Sequence, residues 1–477
     1  MNILELLKPS DKVALIQGDK IVTYTELLNR GLRFGNRLRH EGIKSGSNVL
    51  VFVPLSIELY AAMIGAWSVG ASAIFIDYSR GSKFVSDSIE RLRPDVIVCD
   101  KITGFIRNTY SEMRKIKTLN ISKSSQNTKT PIIEKVKPEH PAILTFTSGT
   151  TGVPKIAVRT HAFLINQYYV LCEHIDFNEN HIDLGTLPVF TLANMAANMT
   201  TLLPYKSYKS KIGTKKLAAK ADSVGITRAI CSPALMENLL KHSELPSLKN
   251  AYLGGGPVYP GMLRKIRKDV DLHIVYGSTE AEPISGIRWK DVSETDKQKI
   301  ASGKGLLVGH IVPQIKCRIG THNEILVSGD TVLKGYLNGI GDSENKIHDE
   351  NGVIWHKTGD SGHIDEQGRL WLLGRVSQAI HDEHGTLEPF CAECILDSLF
   401  GIRGAVISQN NERIVVIEKS NINPKDVLSA LESQQISKVI CIKKLPMDKR
   451  HGAKVDYDEL KRVLLKKLNQ PTHGLYS

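Results

Sequence analysis

Aromatic residues are scarce in this sequence: Phe, Trp and Tyr make up 6% of its 477 residues. The polar segment SKSSQNTKT carries no ring at all, which argues against a protein that stacks nucleic-acid bases on aromatic side chains. Long apolar runs are also missing. The longest candidate, Asn48 to Leu55 (NVLVFVPL), is strand-sized, far below the ~18 apolar residues of a membrane-spanning helix. The opening stretch, MNILELLKPSDKVALIQGDK, lacks the sustained apolar core and small-residue cleavage site of a signal peptide. The seven cysteines are an odd count without framework spacing, so the expectation is reduced thiols in a cytoplasmic protein. One CxxC pair exists, Cys391 and Cys394. A zinc site would want a second pair or histidines beside it, so the pair reads as two thiols on one helix face. The Walker A spacing GxxxxGK[ST] is absent too, which excludes that phosphate-binding loop.

What is present is ordinary for a folded domain: 41% hydrophobic and 23% charged residues. Disordered, collagen-like and small disulfide-rich classes are excluded. The length suggests about three units of ~150 residues or two unequal ones. Lys and Arg exceed Asp and Glu by 62 to 50, a net charge of +12, so anionic partners must be considered. Strand and helix patterns alternate along the first hundred residues. Tyr24 to His40 is amphipathic, and Thr23 with Glu26 has capping-box spacing. NVLVFVPL has the look of a strand buried on both faces, Ile57 to Gly70 reads as a helix, and ASAIFID and PDVIVCD as strands. Such alternation implies a parallel sheet with helical crossovers. Lys101 to His140, polar at its centre (SKSSQNTKT), reads as a basic surface excursion. Short β-rich segments come late (IKCRIG, NEILVSG, RLWLLGR), then AVIS, RIVVIEK and KVICIKK before a basic terminal helix. The expected fold class is α/β. A large N-terminal body, residues 1–375, has parallel-type sheets, helices and a small β-rich part. A small α+β C-terminal lid, residues 376–477, follows.

The most informative segment is AILTFTSGTTGVPK, residues 142–155. An apolar strand runs into Thr147, Ser148, Gly149, Thr150, Thr151 and Gly152, and the loop closes on Lys155. Glycines let backbone N–H groups approach an anion closely, hydroxyls add donors, and the lysine adds charge. These residue types, in this order, suit a triphosphate cradle.

That loop closely resembles the signature of the adenylate-forming superfamily of acyl-CoA synthetases, adenylation domains, luciferases and β-lactone synthetases. The resemblance continues through LGGGPVYP (253–260), YGSTEAEP (276–283), VSGDTVLKGYLN (327–338) and HKTGDSGHIDEQGRLWLLGR (356–375), in the family's order. It implies ATP and Mg²⁺ as cofactors and a carboxylic acid as substrate. The implied adenine slot is Gly254, Gly255, Gly256 and Pro257 with Tyr276, in the motif that continues through Gly277 and Ser278. Thr279 would bond the α-phosphate and Glu280 would hold Mg²⁺. Asp360 would accept from the ribose hydroxyls, and Arg375 would touch ribose or phosphate. Lys454, in LPMDKRHGAKVDYDEL, falls where the family's catalytic lysine stands. Phe190 and Asn194, in LPVFTLANM, would line the acid pocket.

Three positions depart from the family pattern: Ile156 follows Lys155 in place of glycine, Thr191 replaces a histidine at the acyl pocket, and Ser377 stands at the hinge. The pieces HGTLEPFCAE and PMDKRHGAK resemble the olefin-pathway β-lactone synthetases. The resemblance implies acyl-AMP formation with release of pyrophosphate. Transfer to CoA or to the thiol of a carrier protein would follow; the alternative is ring closure by a β-hydroxyl. A basic nucleic-acid-binding protein is a minor alternative resting on charge alone.

Overall fold

The computed structural model describes residues 1–122, 132–147, 154–205, 207–448, 454–468 and 475–476. Helix Tyr24–His40 begins at Thr23 with the expected capping box: the Thr23 hydroxyl accepts from Glu26 N, and the Glu26 carboxylate accepts from Thr23 N. The apolar run forms strand Asn48–Phe52, buried within a six-stranded sheet. Its order is Thr118–Asn120, Val96–Cys99, Asn48–Phe52, Ser72–Phe75, Pro141–Thr147 and Lys155–Thr160. The first five strands are parallel, and the sixth turns back antiparallel on the fifth. Helix Ile57–Ser68 covers this sheet with almost every side chain buried.

The basic stretch after Lys101 is less of an excursion than its composition suggests. Thr118–Asn120 pairs in parallel with Val96–Cys99 and extends the sheet by one strand. Only Leu119 of that short strand is buried, too little apolar signal to betray it. The polar centre of the stretch lies outside the described residues.

A second sheet has fourteen strands among the described residues. One half is parallel: Asp271–Ser278, Asn250–Leu253, Arg228–Cys231, Ile182–Gly185, Thr200–Leu202 and Val13–Gln17. The other half is antiparallel and includes the late segments Ile315–Ile319, Glu324–Gly329, Ile354–Ile364 and Arg369–Arg375. It is fixed to helix Glu294–Ala301 by a buried ion pair. Arg369 donates to both oxygens of Asp296, at 2.8 and 2.9 Å, and to Asp365. The hydrogen bonds from Arg369 hold the Asp296 carboxyl at about 2. Because that value is depressed, the contribution is complete above about pH 4 and is lost as pH falls towards 2. Arg369→Met is expected to cost about 3 kcal/mol at pH 7 and to flatten the acid limb of the unfolding profile. An unchanged acid limb, followed by tryptophan fluorescence, would remove the ion pair from the account.

After Arg375 no further strand among the described residues joins the large sheet. Ile380–Asp382 pairs with Gly385–Leu387. Gly404–Gln409, Glu412–Glu418, Lys438–Ile442 and Leu475–Tyr476 form a separate sheet. Helix Pro389–Phe400 packs both ways: Cys394 enters the core of the large sheet, while Ala392, Ile395 and Leu396 enter the C-terminal core. Both thiols of the CxxC pair are free and lie in this helix. Cys391 packs against the C-terminal core, and burial pushes its thiol up to about 11, which disfavours the thiolate. No helix among the described residues is long and apolar enough to cross a membrane.

Candidate active site

The parallel half of the large sheet delivers four loops to one edge. Leu187–Phe190 follows strand Ile182–Gly185, Pro233 follows Arg228–Cys231, Gly254–Pro257 follows Asn250–Leu253, and Thr279–Glu280 follows Asp271–Ser278. Carboxyl ends of parallel strands are where open α/β sheets take ligands. From the six-stranded sheet, Thr147 ends one strand and Lys155 begins the next at the same opening. Residues 148–153, which include Ser148, Gly149, Thr150, Thr151 and Gly152, lie outside the described residues. Together these loops bound a cleft of about 1640 Å³, more than a drug-sized ligand needs and enough for a nucleotide beside a second substrate.

At one end the polar groups are tied together. Tyr276 Oη donates to Asp360 Oδ2 at 2.9 Å, and Arg375 Nη1 donates to Asp360 Oδ1 at 2.8 Å and to the Thr358 carbonyl at 3.1 Å. Asp360 and Arg375 meet because their strands are antiparallel neighbours in register. Burial, then Asp360, pushes the Tyr276 phenol well above its usual value. The glycine loop beside them is sterically required. A Cβ at Gly254 would stand 2.6 Å from the Val275 carbonyl oxygen, and Gly255 has φ +74°, which disfavours any other residue. Gly256, Pro257, Gly277, Ser278 and Thr279 complete that wall.

At the other end, Glu280 is held by three contacts. Its carboxylate accepts from Tyr336 Oη at 3.1 Å, its N–H donates to Ser278 Oγ at 3.2 Å and its carbonyl accepts from Leu333 N at 2.7 Å. Lys155 is buried and donates to Asn345 Oδ1 at 2.6 Å. Burial pushes its pKa down, and Glu280 and Glu344 pull it back. Lys346, also buried, is pushed down to about 8 by burial. The two ammonium groups lie 5.5 and 5.4 Å from the Tyr336 ring centre, a cation–π arrangement. Two desolvated cations at one place are costly unless anions occupy the space beside them.

The opposite side of the cleft is largely apolar, with Val53, Leu59, Met63, Phe75, Ile143 and Phe190 among its walls. Charged residues interrupt it, among them Arg159 and Glu282. Arg159, 6% exposed, donates to Thr145 Oγ1 at 3.1 Å. Facing it electrostatically is Glu282, pushed up to about 7 by burial while Arg159 pulls the other way. Lys454 reaches the cleft from the C-terminal part. Its N–H donates to Asp448 Oδ1 at 3.0 Å, and its carbonyl accepts from Asp448 N at 2.8 Å.

Of the residues singled out from the sequence, all those described line this cleft except Asn194. Asn194 is fully buried beneath the wall. Its amide donates to Asp183 Oδ2 at 2.7 Å and to Thr201 Oγ1 at 3.1 Å, and its oxygen accepts from Arg228 at 2.9 Å. Asp183 and Arg228 form an ion pair with neither side chain exposed; such groups require polar partners, and Asn194 is recruited as one. Thr191 also lies inward, fully buried beside Gly185, so the departure at that position does not open the wall. Asn194→Ala is expected to cost about 2 kcal/mol of stability without changing which acid is used. A changed acid preference at unchanged stability, read from thermal unfolding and activity assays together, would return Asn194 to the pocket. Sequence reasoning passed over Tyr336, Asn345, Lys346, Arg159 and Glu282. Tyr336 and Glu282 stood inside quoted motifs; the others carry no local signature.

The AMP-binding enzyme family model matches residues 6–337. The olefin beta-lactone synthetase of Stenotrophomonas maltophilia is 24% identical, the match covering 93% of this chain and 91% of that protein. The 2-succinylbenzoate–CoA ligase of Bacillus licheniformis is 26% identical over 81% of each chain. Among solved structures, the O-succinylbenzoate coenzyme A synthetase of Bacillus subtilis in complex with AMP has the same fold. Its TM-score is 0.79 at 19% identity, covering 99% of this chain and 98% of that one.

Proposed function

The chain belongs to the AMP-binding enzyme family, and on that premise we propose that it activates a carboxylic acid as acyl-AMP, releases pyrophosphate and passes the acyl group to a thiol. The observation that carries this reading is Asp360, held by Tyr276 and Arg375 in the same cleft that Lys454 lines. The Gly254–Pro257 loop and Tyr276 embrace the adenine, and Asp360 accepts from the ribose hydroxyls. Thr147 to Gly152 and Lys155 receive the triphosphate, with Lys346 adding charge behind Lys155. Thr279 bonds the α-phosphate. Glu280 offers one fixed carboxylate, and no cluster of three or more His, Cys, Asp or Glu suited to a metal occurs among the described residues. That donor set fits Mg²⁺, which takes one or two carboxylates and completes its shell with substrate phosphates and water. When bound, the ion would neutralise phosphate charge.

An oxygen of the acid attacks the α-phosphorus, and the bond from that phosphorus to the pyrophosphate oxygen breaks. Both reactants are anions, so the chain's work is to hold them together and offset their repulsion. Lys454 does so by contacting both. Residues 1–375 form the nucleotide-binding body and 376–477 the part that carries Lys454 to it. CoA or a carrier-protein thiol then displaces AMP.

A second reading replaces the thiol with the acid's own β-hydroxyl, closing a β-lactone. Arg159 and Glu282 favour it, because charged groups set among the apolar side chains of the cleft suit an acid with a polar substituent. The near full-length likeness to an olefin beta-lactone synthetase supports it as well. The test is AMP release from ATP with β-hydroxy acids and with plain fatty acids, with and without CoA. Release that needs CoA supports the thioester. Release with β-hydroxy acids alone, accompanied by a β-lactone in the product spectrum, supports closure.

A further inference from the structure

Three stretches far apart in sequence converge on one carboxylate at the cleft. Glu393, 7% exposed, stands in the middle of helix Pro389–Phe400. Tyr259, two residues past the Gly254–Pro257 loop, donates its phenol hydrogen to Glu393 Oε2. Tyr457, three residues past Lys454, donates to Glu393 Oε1 at 3.1 Å. Both carboxylate oxygens are thus taken by phenols, and all three side chains line the cleft. One turn further along the helix, Asp397 Oδ2 accepts from Gly261 N at 2.7 Å. The same helix therefore grips the segment after the glycine loop twice.

A buried carboxylate is costly to keep, and no ion pair reaches Glu393 among the described residues. A leucine would serve helix packing better. The carboxylate instead links two things that must be held at a set distance: the adenine side of the cleft and the turn that bears the lysine. That turn is stiff at its base. Asp448 closes it through both the N–H and the carbonyl of Lys454, Met447 bridges Val455, and Asp456 N donates to the Pro446 carbonyl at 2.8 Å. A displacement of Tyr457 is therefore passed on to Lys454. The Cys-x-Glu piece that stood out in the sequence, Cys391-Ala392-Glu393, has its chemical content in this glutamate.

We infer that Glu393 is a positioning residue for Lys454: by accepting one hydrogen bond from Tyr259 and one from Tyr457, it fixes the lysine-bearing turn over the nucleotide end of the cleft. The inference rests on the reading of Lys454 as the lysine of acyl-AMP formation.

The experiment measures acid-dependent exchange of pyrophosphate into ATP, with kcat and KM for ATP determined separately. The full-length wild type is compared with Y457F, E393A, E393Q, the double variant Y457F/E393A and K454A. Y457F is expected to lose about tenfold in kcat, because misplacement by an ångström or less is enough. Its KM for ATP should stay within about twofold and its thermal unfolding should be unchanged. E393A should fall as far as Y457F, and the double variant no further, since the residues act as one unit. E393Q keeps an acceptor for one phenol and should recover most of the rate. The inference is overturned if Y457F and E393A exchange at the wild-type rate while K454A is slow. It is equally overturned if Y457F loses rate only in step with loss of cooperative unfolding. K454A exchanging at the wild-type rate is a different failure, since it removes the lysine assignment on which the inference stands.

Discussion

Lys454→Ala is expected to lower acid-dependent pyrophosphate exchange by about 10²–10³-fold, with ATP binding nearly unchanged. The effect is electrostatic. Two anions must be brought within bonding distance in a cleft walled partly by apolar side chains, where an uncompensated like-charge contact is more costly than in bulk. Arg375 and Lys155 are already engaged, by Asp360 at 2.8 Å and by Asn345 at 2.6 Å. Lys454 is exposed and bonds neighbours only through its backbone among the described contacts. It is the cation best placed to move onto the reacting groups. The check is the split between kcat and KM for ATP in steady-state exchange. A proportional rise in KM, with kcat retained, would make Lys454 a nucleotide-binding residue only.

The second large effect is expected at Asp360. Asp360→Ala removes the acceptor proposed for the ribose and leaves Arg375 and Tyr276 without their shared partner. Affinity for ATP should fall by about 10²-fold, and stability by about 2 kcal/mol, from the lost bonds to a charged group. Asp360→Asn keeps the shape and one acceptor and should lose less of both. Isothermal titration with ATP and thermal unfolding of the two variants measure the pair of effects. Equal ATP affinity in wild type and Asp360→Ala would take Asp360 out of the nucleotide site, whatever the stability change.

The split between what the sequence disclosed and what it concealed follows from interaction range. The strand Asn48–Phe52, the capping box at Thr23 and the positive-φ turn at Gly255 are local: each is decided by a few adjacent residues. Asp360 and Arg375 are fifteen residues apart and meet through a simple antiparallel register, so a motif could carry both. Asn194 was misplaced because its role is set by Asp183 and Arg228, eleven and thirty-four residues away. Without that buried ion pair in view, a polar residue one turn past Phe190 reads as part of the same pocket wall. Thr118–Asn120 was missed because two of its three residues are polar and its sheet partner is remote. Lys346 and Arg159 were invisible for a related reason, and Glu393 stood inside a quoted piece that did not disclose its role. A buried charge is recognisable only once the groups around it are known, and composition shows a charged residue without showing its burial.

The central claim is that this cleft makes an acyl-AMP. Its most direct test is exchange of labelled pyrophosphate into ATP, driven by a panel of carboxylic acids that includes plain and β-hydroxylated alkyl chains, with no thiol present. The expected result is Mg²⁺-dependent exchange that appears only with particular acids and falls by about 10²–10³-fold in Lys454→Ala. A folded protein that binds ATP yet exchanges no pyrophosphate with any acid of the panel would contradict it.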